Sequence, residues 1–497
     1  MRVIGLMSGT SYDAIDAAAA DLRLDGSDLV LRPLGLVTEP YESGLREALA
    51  AALPPAATTL AEVCRLDTHI GQAFAGAAVR AQRELCDGAA ELIASHGQTV
   101  FHWTDEGHVR GTLQIGQPAW IAEATGLPVV ADFRPRDIAA GGQGAPLVSL
   151  VDLLWLRGRP GTPVALNLGG IANLTAPDGT AFDTGPAGAL IDAAVRRSIG
   201  RDFDADGAMA ARGTVHEPLL RRLLDEPYYA RPAPKTTGKE LFHEGYLRAA
   251  LADFASSARE DVPLRDEDVV ATLTRLTART VADAVRSLNT GGPPGATGSP
   301  HTTGPLSASD TRRVTADPRT SEARRTPDDP CTPDTRRAHD DPRTTDARRT
   351  SKAGRVTADR RTPEARHTPD SRRASDARRA LDAQPTPKAR RTPAPRPVTE
   401  VIASGGGTCN PVLMAMLRAE LRGVPVRLSD GLGLPAAAKE AYAFAVLGFL
   451  TVHGLTGTDP RSTGARHARV LGSLTPGRGG FPPVPAGAKQ PVRLVLV

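Results

Sequence analysis

The chain has 497 residues, 40% of them hydrophobic and 4% aromatic, so it can bury a sizeable core and is too long for one; two or more domains are expected. Its four cysteines, Cys64, Cys86, Cys331 and Cys409, lie far apart with no C-x-x-C, which argues against a disulfide framework or a structural zinc site and suits a reducing compartment. The net charge of +4 suggests nucleic acid until it is mapped: residues 291–397 hold 23 Lys+Arg and 14 Asp+Glu, leaving 37 and 42 elsewhere, so the globular part is mildly acidic.

In chain order, RVIGLMSG reads as a strand, and DAIDAAAADLRLDGSDLVLRPLGLVTEPY as further strands around an Asp-Gly turn. Residues 42–88 carry apolar positions at helical spacing. AELIASHGQTVFH is an apolar run ending in a polar loop, a buried strand delivering His96 and Gln98. LPVVADFRPRDIAAGGQGAPLV repeats the device, a strand leading into charged residues and a glycine loop. PVALNLGGIANLT is the next strand, and GTAFDTGPAGALIDAAVRRSIG a second one that turns into helix at Pro186. Helix is expected over 239–288.

From 291 to 397 the chain is low-complexity, rich in Pro, Thr, Ser, Arg and Asp in loose T-P-[DE]-x-R-R units. It lacks the bulky apolar residues that offset ordering entropy and is expected to be a disordered linker. Interleaved acids and missing aromatics argue against a nucleic-acid partner. TEVIASGGGTCNPVLMAMLRAELRG then reads strand, glycine triplet, helix; AYAFAVLGFLTV (441–452) is a core helix, too short to span a bilayer. No signal peptide is visible, so a cytoplasmic protein without a membrane partner is expected. The alternation predicts an α/β fold with ligands at strand C-terminal ends.

Four glycine loops follow strands: MSGTS (7–11), NLGGIAN (167–173), DTGPAG (183–188) and SGGGTCNP (404–411). Backbone amides approach phosphate oxygens closely only where side chains are absent. Neither G-x-x-x-x-G-K-[ST] nor a G-x-G-x-x-G after the first strand is present. One such loop is equally a hairpin turn; four in one chain point to phosphate.

GLMSGTSYDAIDAA, SHGQTVFH, QIGQPAWIAEATGLPVVADFRPRDIAAGGQGAPL, LNLGGIANLT, FDTGPAGALIDA, KTTGKELF and SGGGTCNPVLM occur in the order and spacing of the anhydro-N-acetylmuramic acid kinases, which the chain resembles over nearly all of 1–290 and 398–475. That family belongs to the sugar kinase–Hsp70–actin superfamily, and 291–397 has no counterpart in its pattern. The resemblance implies a two-domain actin-like (ribonuclease H-like) ATPase clamshell carrying a long disordered insert. Its domains would be 1–131 with 476–497, and 132–290 with 398–475.

It also implies ATP and Mg²⁺ in the cleft. Gly9, Thr10, Ser11, Tyr12, Asp13, Ala14, Ile15 and Asp16 would curl round the β- and γ-phosphates, with Gly169 and Gly170 as a second phosphate-facing segment. Gly405, Gly406 and Gly407 would form the adenosine-side turn, and Asp13 or Asp16 would place the metal. The substrate would be 1,6-anhydro-N-acetylmuramic acid, opened by water and phosphorylated on O6 to N-acetylmuramate 6-phosphate. Asp183 matches the family's catalytic base; His96, Gln98, Arg134 and Glu440 would hold the sugar, and a homodimer is plausible. Plain alternatives stand beside these roles: Asp183 as a helix cap, Arg134 paired with Asp132 or Asp137, His96 as a satisfied core histidine, Glu440 on a solvated face, Asp16 as a strand-end residue. Ala14 and Ala187 depart from the family pattern, and a turn needing φ > 0 at Ala14 would be strained by about 1 kcal/mol. A non-catalytic ATP-binding switch and a kinase for another small carbohydrate are the rival functions.

Overall fold

In the computed structural model, β1 (Arg2–Met7), β2 (Ala14–Asp25) and β3 (Asp28–Pro40) form an antiparallel meander. The structure describes residues 1–9, 12–54, 56–105, 108–238, 240–257, 264–290, 396–483 and 487–497. Contacts separate one unit, Met1–Ser299 with Pro393–Val497, from Pro300–Thr392. The insert expected at 291–397 lies outside the described residues except for Arg396 and Pro397.

The helical stretch 42–88 is two helices, α1 (Ser43–Ala52) and α2 (Leu60–Cys86), broken where Pro54 removes a backbone donor. β4 (Leu92–Ser95) runs parallel to β1. The polar loop expected after it is instead a hairpin of β5 (Gln98–Asp105) and β6 (His108–Ile115), whose Phe101, Trp103 and Leu113 stand exposed. After α3 (Pro118–Thr125), β7 (Val129–Ala131) joins β4 in parallel, and α4 (Phe133–Ala139) and α5 (Ser149–Leu156) lead away.

PVALNLGGIANLT is not one strand but two, β8 (Pro163–Leu168) and β9 (Ile171–Thr175), reversed at Gly169–Gly170, and β10 (Ala181–Pro186) completes a second meander. Helices α6 (Gly188–Ile199), α7 (Ala208–Arg212), α8 (Glu217–Leu224), α9 (Glu244–Ser257) and α10 (Asp266–Thr290) follow. Next come β11 (Glu400–Ser404), α11 (Pro411–Leu421), β12 (Val426–Leu428), α12 (Lys439–Val452), α13 (Pro460–Thr463), β13 (Ser473–Thr475) and β14 (Arg493–Leu496).

The two sheets share one plan. The first is ordered β13-β7-β4-β1-β2-β3-β14 and the second β10-β9-β8-β11-β12. In each, a three-stranded meander is continued by two strands parallel to its first member. That duplication is the actin-like, ribonuclease H-like architecture. β13, which the sequence reading grouped with the second domain, pairs with β7 in the first sheet, and β14 pairs with β3.

Small residues set how closely the layers approach. Ala17 and Ala19 of β2 pack on the α2 side, and Ala18 and Ala20 on the α12 side, all fully buried. α12 lies across β1 and β4: a Cβ on Gly5 would sit 1.9 Å from the Ala441 carbonyl oxygen, and one on Gly448 would sit 2.5 Å from Ala94 Cβ. No described helix is long and apolar enough to cross a membrane.

Gly5→Ala forces backbone apart from backbone, and a loss of about 2 kcal/mol or more is expected. Gly44→Ala in α1, where a Cβ meets open space, should leave stability unchanged or raise it by about 0.5–1 kcal/mol. Urea unfolding followed by circular dichroism compares the two.

Candidate functional site

The loop between β1 and β2 is braced from beneath. Ser8 Oγ lies 2.9 Å from the Ala14 carbonyl and 2.8 Å from Gln98 Oε1. Gln98 Nε2 donates to the Gly9 carbonyl at 3.2 Å, and Tyr41 Oη donates to Gln98 Oε1 at 3.3 Å. Gln98, expected at sugar hydroxyls, is fully buried, with both ends of its amide spent on the loop. Thr10 and Ser11 lie outside the described residues. Ala14, Ile15 and Asp16 already pair with Pro40, Glu39 and Thr38 in the sheet, so the loop proper ends at Asp13, and the Ile15 side chain is in the core. The positive φ falls on Tyr12 (45°) rather than Ala14, so the methyl at 14 brings no strain. Asp13 is exposed; Asp16 accepts from Thr38 Oγ1 at 2.7 Å, and burial pushes its carboxyl up.

His96 follows the end of β4, and Arg134 lies in α4. His96 is 4% exposed, its Nδ1 2.8 Å from the Gly97 carbonyl and its Nε2 accepting from Arg134 Nε at 3.0 Å. Desolvation, aided by the Arg134 charge, pushes its pKa well down, so it is a neutral imidazole that aims Arg134. That is the satisfied core histidine with a second task, rather than a ligand for sugar hydroxyls. Arg134 Nη1 donates to the Gly144 carbonyl at 2.7 Å. It pairs with neither Asp132 nor Asp137: Asp137 accepts from Thr463 Oγ1 and Gly144 N, at 2.7 and 2.8 Å. The guanidinium is within electrostatic reach of Glu440, Asp183 and Asp137 without a direct ion pair to any of them among the described residues.

Asp183 lies in β10 beside a bulge that re-aims the strand. It is 5% exposed. Its Oδ2 accepts from Thr236 Oγ1 at 2.8 Å and Thr237 N at 2.9 Å, while Oδ1 makes no hydrogen bond among the described residues. Tyr228 Oη fixes its carbonyl at 2.8 Å, and its amide donates to the Lys235 carbonyl. Desolvation pushes its pKa up to about 6 against these two donors. It caps nothing, since the residue preceding α6 is Ala187, which makes no side-chain cap. A carboxylate with one oxygen clasped, one open and a pKa near neutrality suits a general base.

Glu440 opens α12, half-buried, with Oε1 accepting from Asn167 Nδ2 at 3.2 Å, and burial raises its pKa. Its neighbour Lys439 is buried against Asp152 of α5 at 2.8 Å, which holds the helix end. Asn167 belongs to a polar row that crosses the second sheet in register: Asp183, Asn173, Asn167, Ser404.

The remaining glycine loops divide. The Gly169 and Gly170 carbonyls accept from the amides of Ala187, Gly188 and Ala189, so this hairpin tip caps α6 and those amides are not free for a phosphate. Gly405 (φ 87°) packs where a Cβ would lie 2.7 Å from Asn167 Oδ1, whereas Gly406 faces open space, as a nucleotide-side turn requires. Among the described residues no cluster of three or more His, Cys, Asp or Glu forms a metal cage.

The family model for anhydro-N-acetylmuramic acid kinase matches residues 1–294 and 374–477. The chain belongs to the anhydro-N-acetylmuramic acid kinase family. It is 61% identical to the kinase of that name from Streptomyces avermitilis over 100% of both chains. It is 48% identical to that of Rhodococcus erythropolis, over 99% of this chain and 98% of that one. It is 49% identical to that of Streptomyces coelicolor, over 100% and 99%. The family model skips 295–373, within the stretch expected to have no counterpart in the family pattern. For this kinase-family site, Thr236, Thr237, Tyr228, Asn167 and Asn173 are the residues that sequence reasoning left without a role; the KTTGK string was the visible signal for the first two.

A carboxylate whose native pKa lies above its unfolded value weakens the fold as pH rises through that window. Asp183 therefore costs about 3 kcal/mol above pH 6, from a rise of about two units. Asp183→Asn should be more stable than wild type at pH 8, by up to that amount, and the gain should vanish near pH 4. Denaturant titrations at the two pH values test this.

Proposed function

We propose that the protein performs the reaction its relatives are named for: ATP-dependent hydrolytic phosphorylation of 1,6-anhydro-N-acetylmuramic acid, giving N-acetylmuramate 6-phosphate and ADP. The observation that carries this reading is Asp183, desolvated and clasped through one oxygen, with the other open beside Arg134 and Glu440. A nucleotide-binding scaffold has no use for such a group, which costs stability.

Asp183 Oδ1 takes a proton from water as the water oxygen attacks the anomeric carbon. The C1–O6 bond breaks with its electron pair on O6, and O6 attacks the γ-phosphorus as ADP leaves. Arg134, its Nε held by His96, presents its remaining N–H groups to the sugar's lactyl carboxylate, a task that suits a planar fork. Glu440, fixed by Asn167, accepts from sugar hydroxyl or water.

The β1–β2 loop holds the phosphates and the Gly405–Gly407 turn the adenosine. Mg²⁺ would be held by Asp13 and the Asp16 oxygen that Thr38 leaves free, with phosphate and water completing its shell, since this ion is bound through one or two carboxylates rather than a cage. When bound it neutralises charge on the transferring phosphoryl group.

A coupled ADP-release assay tests the reading. The anhydro sugar should support turnover and yield a product heavier by one water and one phosphoryl group, whereas ordinary N-acetylmuramate should not. kcat/KM should fall as pH drops through about 6, where Asp183 protonates, and Asp183→Asn should lose about 10³-fold or more in kcat. ADP release from an unrelated carbohydrate alone would favour the rival kinase reading.

A further inference from the structure

Within the row that crosses the second sheet, every side chain but one has a protein partner. Asp183 is held by Thr236 and Thr237; Asn167 donates to Glu440; Ser404 Oγ lies 3.1 Å from the Leu166 carbonyl and 3.5 Å from Asn167 Oδ1. Asn173 stands directly between Asp183 and Asn167 in register. Its side chain makes no hydrogen bond among the described residues, and its Oδ1 is buried. An unmet buried acceptor costs about 1–3 kcal/mol, and β9 could avoid that cost with an apolar residue at this position.

Registered neighbours on antiparallel strands point to the same face, with Cβ atoms about 5 Å apart. The two open acceptors, Asp183 Oδ1 and Asn173 Oδ1, therefore belong to adjacent side chains on one face. A nucleophilic water has two hydrogens to place, and one acceptor alone leaves it free to rotate. Two acceptors fix both hydrogens and turn a lone pair away from the sheet.

We propose that Asn173 is a further catalytic residue, one that accepts the second hydrogen of the attacking water while Asp183 takes the first. This rests on the hydrolytic-phosphorylation reading. Asn173 takes no proton. The hydrogen it holds remains on the oxygen that becomes the anomeric hydroxyl, and the other leaves to Asp183 as the new C1–O bond forms.

The test uses the full chain and the variants Asn173→Ala and Asn173→Asp, with ADP release measured against anhydro sugar from pH 5 to 9 and MgATP binding by calorimetry. Asn173→Ala should lose roughly 100-fold in kcat, with sugar KM and MgATP affinity within about threefold of wild type and the acid limb still near 6. Asn173→Asp restores an acceptor but sets a second carboxylate opposite Asp183, so its acid limb should move upward and its rate recover toward high pH. Wild-type turnover together with an Asn173→Ala kcat within threefold of it overturns the assignment and leaves the functional reading standing. Lost MgATP binding or a collapsed thermal midpoint in both variants also overturns it, in favour of a structural role. A wild type inert toward the anhydro sugar sinks the functional reading itself, and this inference with it.

Discussion

The arrangement hangs on how closely α12 lies on the first sheet. Gly5 and Gly448 carry no Cβ, so the helix backbone touches β1 and β4 directly, a separation that any side chain would prevent. From that contact the helix reaches both halves of the site. Its first turn carries Glu440 to Asn167 of the second sheet, and Phe444 packs on His96 with ring centroids 4.6 Å apart. The buried Lys439–Asp152 pair ties the same turn to α5. Breaking one partner of such a pair leaves a lone charge in a dry interior, a cost of about 3–5 kcal/mol, so the helix end has little freedom to drift.

Electrostatics then follows burial. Asp183 is taken out of water, and the donors Thr237 and Thr236, with the Arg134 charge, only partly resist the resulting rise in its pKa. Were both oxygens satisfied, the carboxylate would titrate lower and have no lone pair to offer. Loop 227–238, through Tyr228, Lys235, Thr236 and Thr237, serves this one residue. Lys235 is itself buried over the Tyr228 ring, its amine spent on the Tyr228 and Tyr229 carbonyls and pushed down to about 8 by desolvation.

The duplicated strand plan explains why the two hairpin loops differ in use. β1–β2 and β8–β9 occupy matching places in their sheets. The first has its Gly9 carbonyl tied down by Gln98 and Tyr12. The second has turned its glycine carbonyls onto the start of α6. Equivalent topology thus supplies two glycine turns, and local packing commits the second to capping α6.

Much was legible in the string. Glycine loops after apolar runs marked the strand ends, because only glycine tolerates the close approach at Gly405. The order of motifs gave the family, and Asp183 stood out in the strand that leads into a helix. The β5–β6 hairpin was hidden because its alternation is broken by two register shifts. The duplicated sheet plan was hidden too, since strand pairing is a long-range property that no local periodicity encodes. Residue types and their order determined the glycine turns and the family. Only the tertiary structure decided that Gln98 braces a loop, that His96 aims Arg134, and that Asn173 is left with an open acceptor beside Asp183. Those roles depend on which partners the fold brings within 3 Å, and partners such as Gln98 and Ser8 are 90 residues apart in the chain.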